Sequence, residues 1–312
     1  MDMKTLEDVK ACLDDERRLF HYYDDQYAVY LLSKLIADDQ FYSIAKIRKS
    51  SFAKLLDKPC VKLILQACGS GVINLQDLNQ IYGDSYDSLV VTLDKWGDER
   101  DYGWVQTSRP GANLVLQFNF TNEHDTRLKQ LKIDGETFKY RSHPIHRFKS
   151  SLAWSRLDID LDSGVALIEE IQTDWLRKTA RHHKIAKRAV NLGMEQYRAG
   201  GEWYVSQSMI EYTSNILRRF SKRWSEMVML YTLRFIREEL GIKIIYYNDF
   251  ETGSRLKRLK STRPPKSLYT ELPRKFCFQK TEIAPQFIVD NKIAKRRYKN
   301  IKSPRWLKLE IA

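Results

Sequence analysis

The chain has 312 residues, 43% apolar and 12% aromatic, enough to bury a core and too much for a disordered protein. No apolar run reaches the ~18 residues of a membrane span. The stretch Met1-Asp2-Met3-Lys4-Thr5-Leu6-Glu7-Asp8 is acidic and mixed and is not expected to act as a signal or transit peptide, and Cys12, Cys60, Cys68 and Cys277 form no CxxC pair, which argues against structural zinc. Basic and acidic residues number 18 and 22 in 1–140, 17 and 12 in 141–240, and 18 and 6 in 241–312. This pattern predicts a cytoplasmic protein with no membrane partner, whose basic C-terminal half meets an anion such as RNA or DNA.

Residues 1–140 read as a mainly helical N-terminal domain. Phe20, Tyr23, Tyr27, Tyr30, Leu31 and Leu35 recur at helical spacing. Two short helices are expected over 72–97. A hairpin follows over 104–120, turning at Ser108-Arg109-Pro110-Gly111, with Leu114, Leu116, Phe118 and Phe120 on one face. A polar stretch over 121–150 contains His143-Pro144-Ile145-His146; the proline makes it a loop. The second domain is placed at 141–312.

The most informative stretch lies at 152–174. Leu152 to Asp162 alternates, Ser163-Gly164 turns, and Val165 to Asp174 returns as a strand apolar on both faces. Its end presents Glu170, Gln172 and Asp174 on one face. Polar groups at the end of a buried strand are where α/β folds place chemistry. Asp160 with Glu170 and Gln172 imitates a metal-dependent nuclease site; alternatively, Glu170 serves as a general base.

A helix with a basic stripe follows: Arg177, Arg181, Lys184 and Arg188, beside His182 and His183. Trp224 to Leu240 is a strongly apolar helix, and Ile242 to Tyr247 a strand. A basic segment carries Arg255, Lys257 and Arg258. Ser267 to Leu272 reads as a helical turn, with strands at 276–281 and 306–311.

The motif Glu169-Glu170-Ile171-Gln172-Thr173-Asp174-Trp175 resembles the E-E-I-Q-S-D-W domain of phage and conjugative-element polyvalent proteins. That resemblance implies a mobile-element context without a reaction. The order hairpin, helix, strand, short helix with tyrosine, strand is similar to the Gcn5-related N-acetyltransferase (GNAT) fold. It implies an α+β domain with a mixed β-sheet flanked by helices, acetyl-CoA or another acyl-CoA as cofactor, and Tyr269 as the acid that protonates the leaving thiolate. This chain lacks the family's glycine-rich pyrophosphate loop after Asp174.

The sequence therefore leads first to a GNAT-like acyltransferase, or a protein derived from one, acting on or near nucleic acid. Glu170 and Gln172 would line its site with Tyr269. Arg177, Arg181, Lys184, Arg188, Arg255, Lys257 and Arg258 would meet the polyanion. The alternatives are a non-enzymatic binder of nucleic acid or protein, and a metal-dependent nuclease using Asp160, Glu170 and Gln172.

Overall fold

The structure, a computed structural model, describes the chain except residues 14–17, 37–40, 70, 80–85, 99, 101–103, 260–262 and 312. Its centre is an eight-stranded sheet. In chain order the strands are β1 (Arg18–Tyr22), β2 (Asp87–Trp96), β3 (Asn113–Phe120), β4 (Ser151–Asp160), β5 (Val165–Gln172), β6 (Ile244–Asn248), β7 (Gln279–Thr281) and β8 (Trp306–Glu310). In space they run β1-β2-β3-β4-β5-β6-β8-β7. The pair β5/β6 is parallel and the other neighbours are antiparallel. The fold is thus the expected α+β class, a mixed sheet flanked by helices.

Several elements differ from the sequence reading. Phe20 lies in β1 rather than a helix, because Phe20 and Tyr22 alternate inward before the helix Gln26–Leu35 begins. The second half of 72–97 is β2, not a helix. The long hairpin is therefore β2 with β3; Trp104 to Thr107 is part of the connection and not a strand. The sheet crosses the 140/141 division, since β3 pairs with β4 along most of its length.

Side-chain alternation gives the sheet two apolar faces. Ala166, Ile168, Ile245 and Tyr247 join the larger core cluster, while Val165, Leu167, Tyr246 and Trp306 join a smaller one. The larger core is closed by α1 (Asp174–Asn191), α2 (Ser206–Phe220) and α3 (Trp224–Arg234), the last continued by a π-helical turn at Phe235–Glu239. The smaller is closed by the segment 250–256 and by α4 (Lys292–Lys299), through Leu256 and Ala294. Among the described residues, no helix is long and apolar enough to cross a membrane.

Candidate functional site

Two places in the fold carry chemistry beyond packing. The first is the fork between β5 and β6. Their pairing ends at Ile168 and Tyr247, while β5 continues to Gln172. A bulge falls here: Leu157 pairs with Ile168 but Arg156 pairs with Glu170, so Glu169 is an extra residue. Ile168 and Ile171 both enter the larger core, three residues apart, where a regular strand would keep one face every second residue. The bulge therefore moves Glu170 off the face of Ala166 and Ile168, where simple alternation puts it.

The fork is filled by the chain itself. Glu169 is fully buried and accepts from Ser108 N (2.9 Å), Ser108 Oγ (2.7 Å) and Asn248 Nδ2 (3.3 Å). Glu170 is ion-paired with Arg156, and Lys257 Nζ lies 3.7 Å from its Oε2. Arg156 also donates to Val105 O (2.8 Å) and Gln106 O (3.1 Å), and Lys257 donates to Glu169 O (3.0 Å). Burial works to raise the Glu170 carboxyl, but Lys257 and Arg156 outweigh it and hold it below the usual carboxylate range. A carboxylate so held is a weak base.

Tyr269 is buried and stacks on Tyr247, ring centroids 5.2 Å apart. Burial, with the charge of Glu170 nearby, pushes both phenols well above their ordinary value. Neither hydroxyl has a hydrogen-bond partner among the described residues. Gln172, at the outer end of the fork, donates from Nε2 to Asp174 Oδ1 (2.9 Å). Asp174 Oδ2 is 2.6 Å from His143 Nδ1, and Gln172 Nε2 lies 3.0 Å from the same ring nitrogen. His146 Nδ1 accepts from the Phe148 and Lys149 amides. His143 thus ties its loop to the start of α1, and His146 bonds the turn that follows it.

Two expectations are corrected here. Asp160 pairs with Val165 and lies four residues along β4 from Arg156, the partner of Glu170, about 13 Å of strand. Asp160 and Glu170 thus form no carboxylate pair, and Glu170 already has two cations. Among the described residues, no group of three or more His, Cys, Asp or Glu is placed to hold a metal ion. Lys257, expected at a nucleic-acid surface, is 2% exposed and engaged with Glu169 and Glu170. It follows Leu256 into the sheet because the fork supplies the carboxylates its ammonium needs.

The second place is the outer face of α1. Thr173 caps the helix, its Oγ1 accepting from Leu176 N (3.2 Å) and donating to Leu152 O (2.6 Å). Trp175 donates to Tyr212 Oη (2.8 Å) and, with Leu176, Thr179, Ala186 and Ala189, faces inward. His182 is also inward, 2.8 Å from Tyr197 Oη, and burial lowers it below the ordinary imidazole range. His183 Nδ1 lies 2.8 Å from Thr213 Oγ1. Arg177, Arg181, Lys184 and Arg188 are left together on the exposed face, with Lys187 beside them. Arg177 pairs with Asp174, but among the described residues Arg181, Lys184, Lys187 and Arg188 have no acidic partner. Elsewhere exposed arginines are commonly neutralised, as Arg127 by Glu211, Arg219 by Asp87 and Arg141 by Glu136.

Arg255 and Arg258 are exposed, but they flank Leu256 on the sheet's other side and do not extend the α1 stripe. Lys292, Lys295, Arg296 and Lys299 of α4, not singled out from the sequence, are exposed on that side too. Their spacing of three and four was the available signal. No family model matches the chain, and neither a curated protein nor a solved structure does.

Proposed function

We propose that this protein binds nucleic acid through the outer face of α1, on an acyltransferase-like sheet. One observation carries the reading: four exposed cations, Arg181, Lys184, Lys187 and Arg188, share a helix face with no acidic partner among the described residues. Unpaired cations held on a rigid helix suit a phosphate backbone, where each contact releases a condensed counterion. The test is a filter-binding titration against labelled DNA and RNA. With about four contacts, affinity for duplex DNA should fall on the order of 100-fold between about 50 and 200 mM salt. No binding at the lower salt would contradict the reading.

A second reading keeps the acyltransferase. It is favoured by the strand order, with its single parallel pair parting at β5/β6. The residues do not fit acetyl-CoA in the expected way, however. The N-terminus of α1, where the pyrophosphate would lie, carries the Asp174 carboxylate and the Thr173 cap. Glu170 and Tyr269 are sealed in the fork. This supports a protein derived from an acyltransferase more than a working one, and no catalytic step is assigned.

A further inference from the structure

The chain between α1 and α2 forms a two-stranded ribbon, Gln196–Ala199 with Glu202–Val205, set apart from the main sheet. Gly200 and Gly201 make its turn, with φ of 61° and 95°; this left-handed backbone gives the tight two-residue hairpin and favours glycine. One face is tied down. Tyr197 stacks on Tyr204 with centroids 5.4 Å apart, Tyr197 Oη meets His182, and Tyr204 Oη lies 3.1 Å from Thr137 Oγ1. The other face holds Trp203 directly opposite Arg198, with Val205 next along the strand. Trp203 is 63% exposed, and Arg198 Nε donates to Gly201 O (3.2 Å). A large aromatic ring is thus held in solvent on a firmly anchored support.

Charge indicates what covers it. Residues 174–205 contain seven Lys and Arg against three Asp and Glu. Four residues, 192–195, join α1 to the ribbon. An exposed indole opposite an arginine, a short way along the chain from the cations of α1, suits an unpaired base with its phosphates. A duplex keeps its base faces stacked and has nothing to lay on the indole. We infer that the ribbon is a stacking platform for single-stranded nucleic acid, with Trp203 under a base and Arg198 beside it. This rests on the reading of α1 as a phosphate-binding face and adds the substrate class.

The experiment compares wild type, Trp203→Ala and Trp203→Phe on two labelled probes, an oligothymidylate of about 20 nucleotides, longer than one binding site, and a duplex of the same length. Trp203 is on the solvent face, so circular dichroism of the variants should match wild type. Trp203→Ala should weaken oligothymidylate binding about 5- to 150-fold, the span of one lost base stack, and Trp203→Phe should restore most of it. Duplex affinity and both salt slopes should stay unchanged, because no cation has been removed. Equal loss on duplex, or no loss on either probe, overturns the platform while leaving the α1 reading intact. Self-association abolished by Trp203→Ala with oligonucleotide affinity unchanged would assign the ribbon to a second copy, and also overturns it. If wild type binds neither probe, both readings fall.

Discussion

Glu170, Arg156 and Lys257 show what a buried charge requires of its neighbours. Each side chain is at most 10% exposed, so the carboxylate is tolerable only because two cations face it. Removing one member leaves uncompensated charge. Glu170→Gln should therefore destabilise the fold by about 3–5 kcal/mol, read as a lower urea midpoint. Adding Lys257→Met should cost less than the two single changes together, since the groups share one network. Additive effects would mean that the fork is open to water. The pH dependence has a definite sign. Glu170 and Asp174 are both held below their ordinary values in the folded state. Their stabilisation is in place above the unfolded carboxylate range and is lost as pH falls through the depressed values. Stability should hold from neutrality to about pH 4 and drop below it, with a shallower drop in Glu170→Gln. A flat acid profile in urea titrations would contradict this.

At the scale of elements, what was legible in the sequence was local. The hairpin of β4 and β5 was readable because Leu157, Ile159 and Leu161 alternate with charged residues and Ser163-Gly164 marks the turn. The face of α1 was readable from basic residues three and four apart. The strand β1 was hidden because its aromatic residues run into those of the next helix at compatible spacing. The bulge at Glu169 leaves no local trace in composition, and it reverses the face on which Glu170 falls. The burial of Lys257 depends on a carboxylate 87 positions away in sequence, which no window can show. The ribbon had a signal in Gly200-Gly201 between Tyr197 and Trp203-Tyr204, but the strands are short. Its turn supplies a test at this scale. Gly201→Ala forces a side chain onto a φ of 95°, at a cost of about 1–2 kcal/mol. Hydrogen exchange should then quicken over 196–205 while β4 and β5 keep their protection. Unchanged exchange across the ribbon would show that the turn adapts without strain.

For the whole molecule, the sheet separates two basic surfaces. The stripe on α1 lies over the larger core, and the exposed lysines and arginines of α4 lie over the smaller one. The net excess of 53 over 40 therefore does not form a single patch, and its sign says less than its placement. The sealed fork reaches between the two sides, where Lys257 and Tyr269 approach each other across the gap at 5.8 Å. Such a molecule is rigid at its centre and offers its charge at the periphery. The most direct measurement of the central claim is the salt dependence of duplex DNA binding for wild type and an Arg181→Ala/Lys184→Ala/Arg188→Ala variant. These side chains are exposed, so each change should leave stability within about 0.5 kcal/mol. Loss of three phosphate contacts should lower affinity and make the log–log salt slope shallower by about 2.7, at ~0.9 per contact. An unchanged slope would place the nucleic-acid contact elsewhere or nowhere, and would contradict the account.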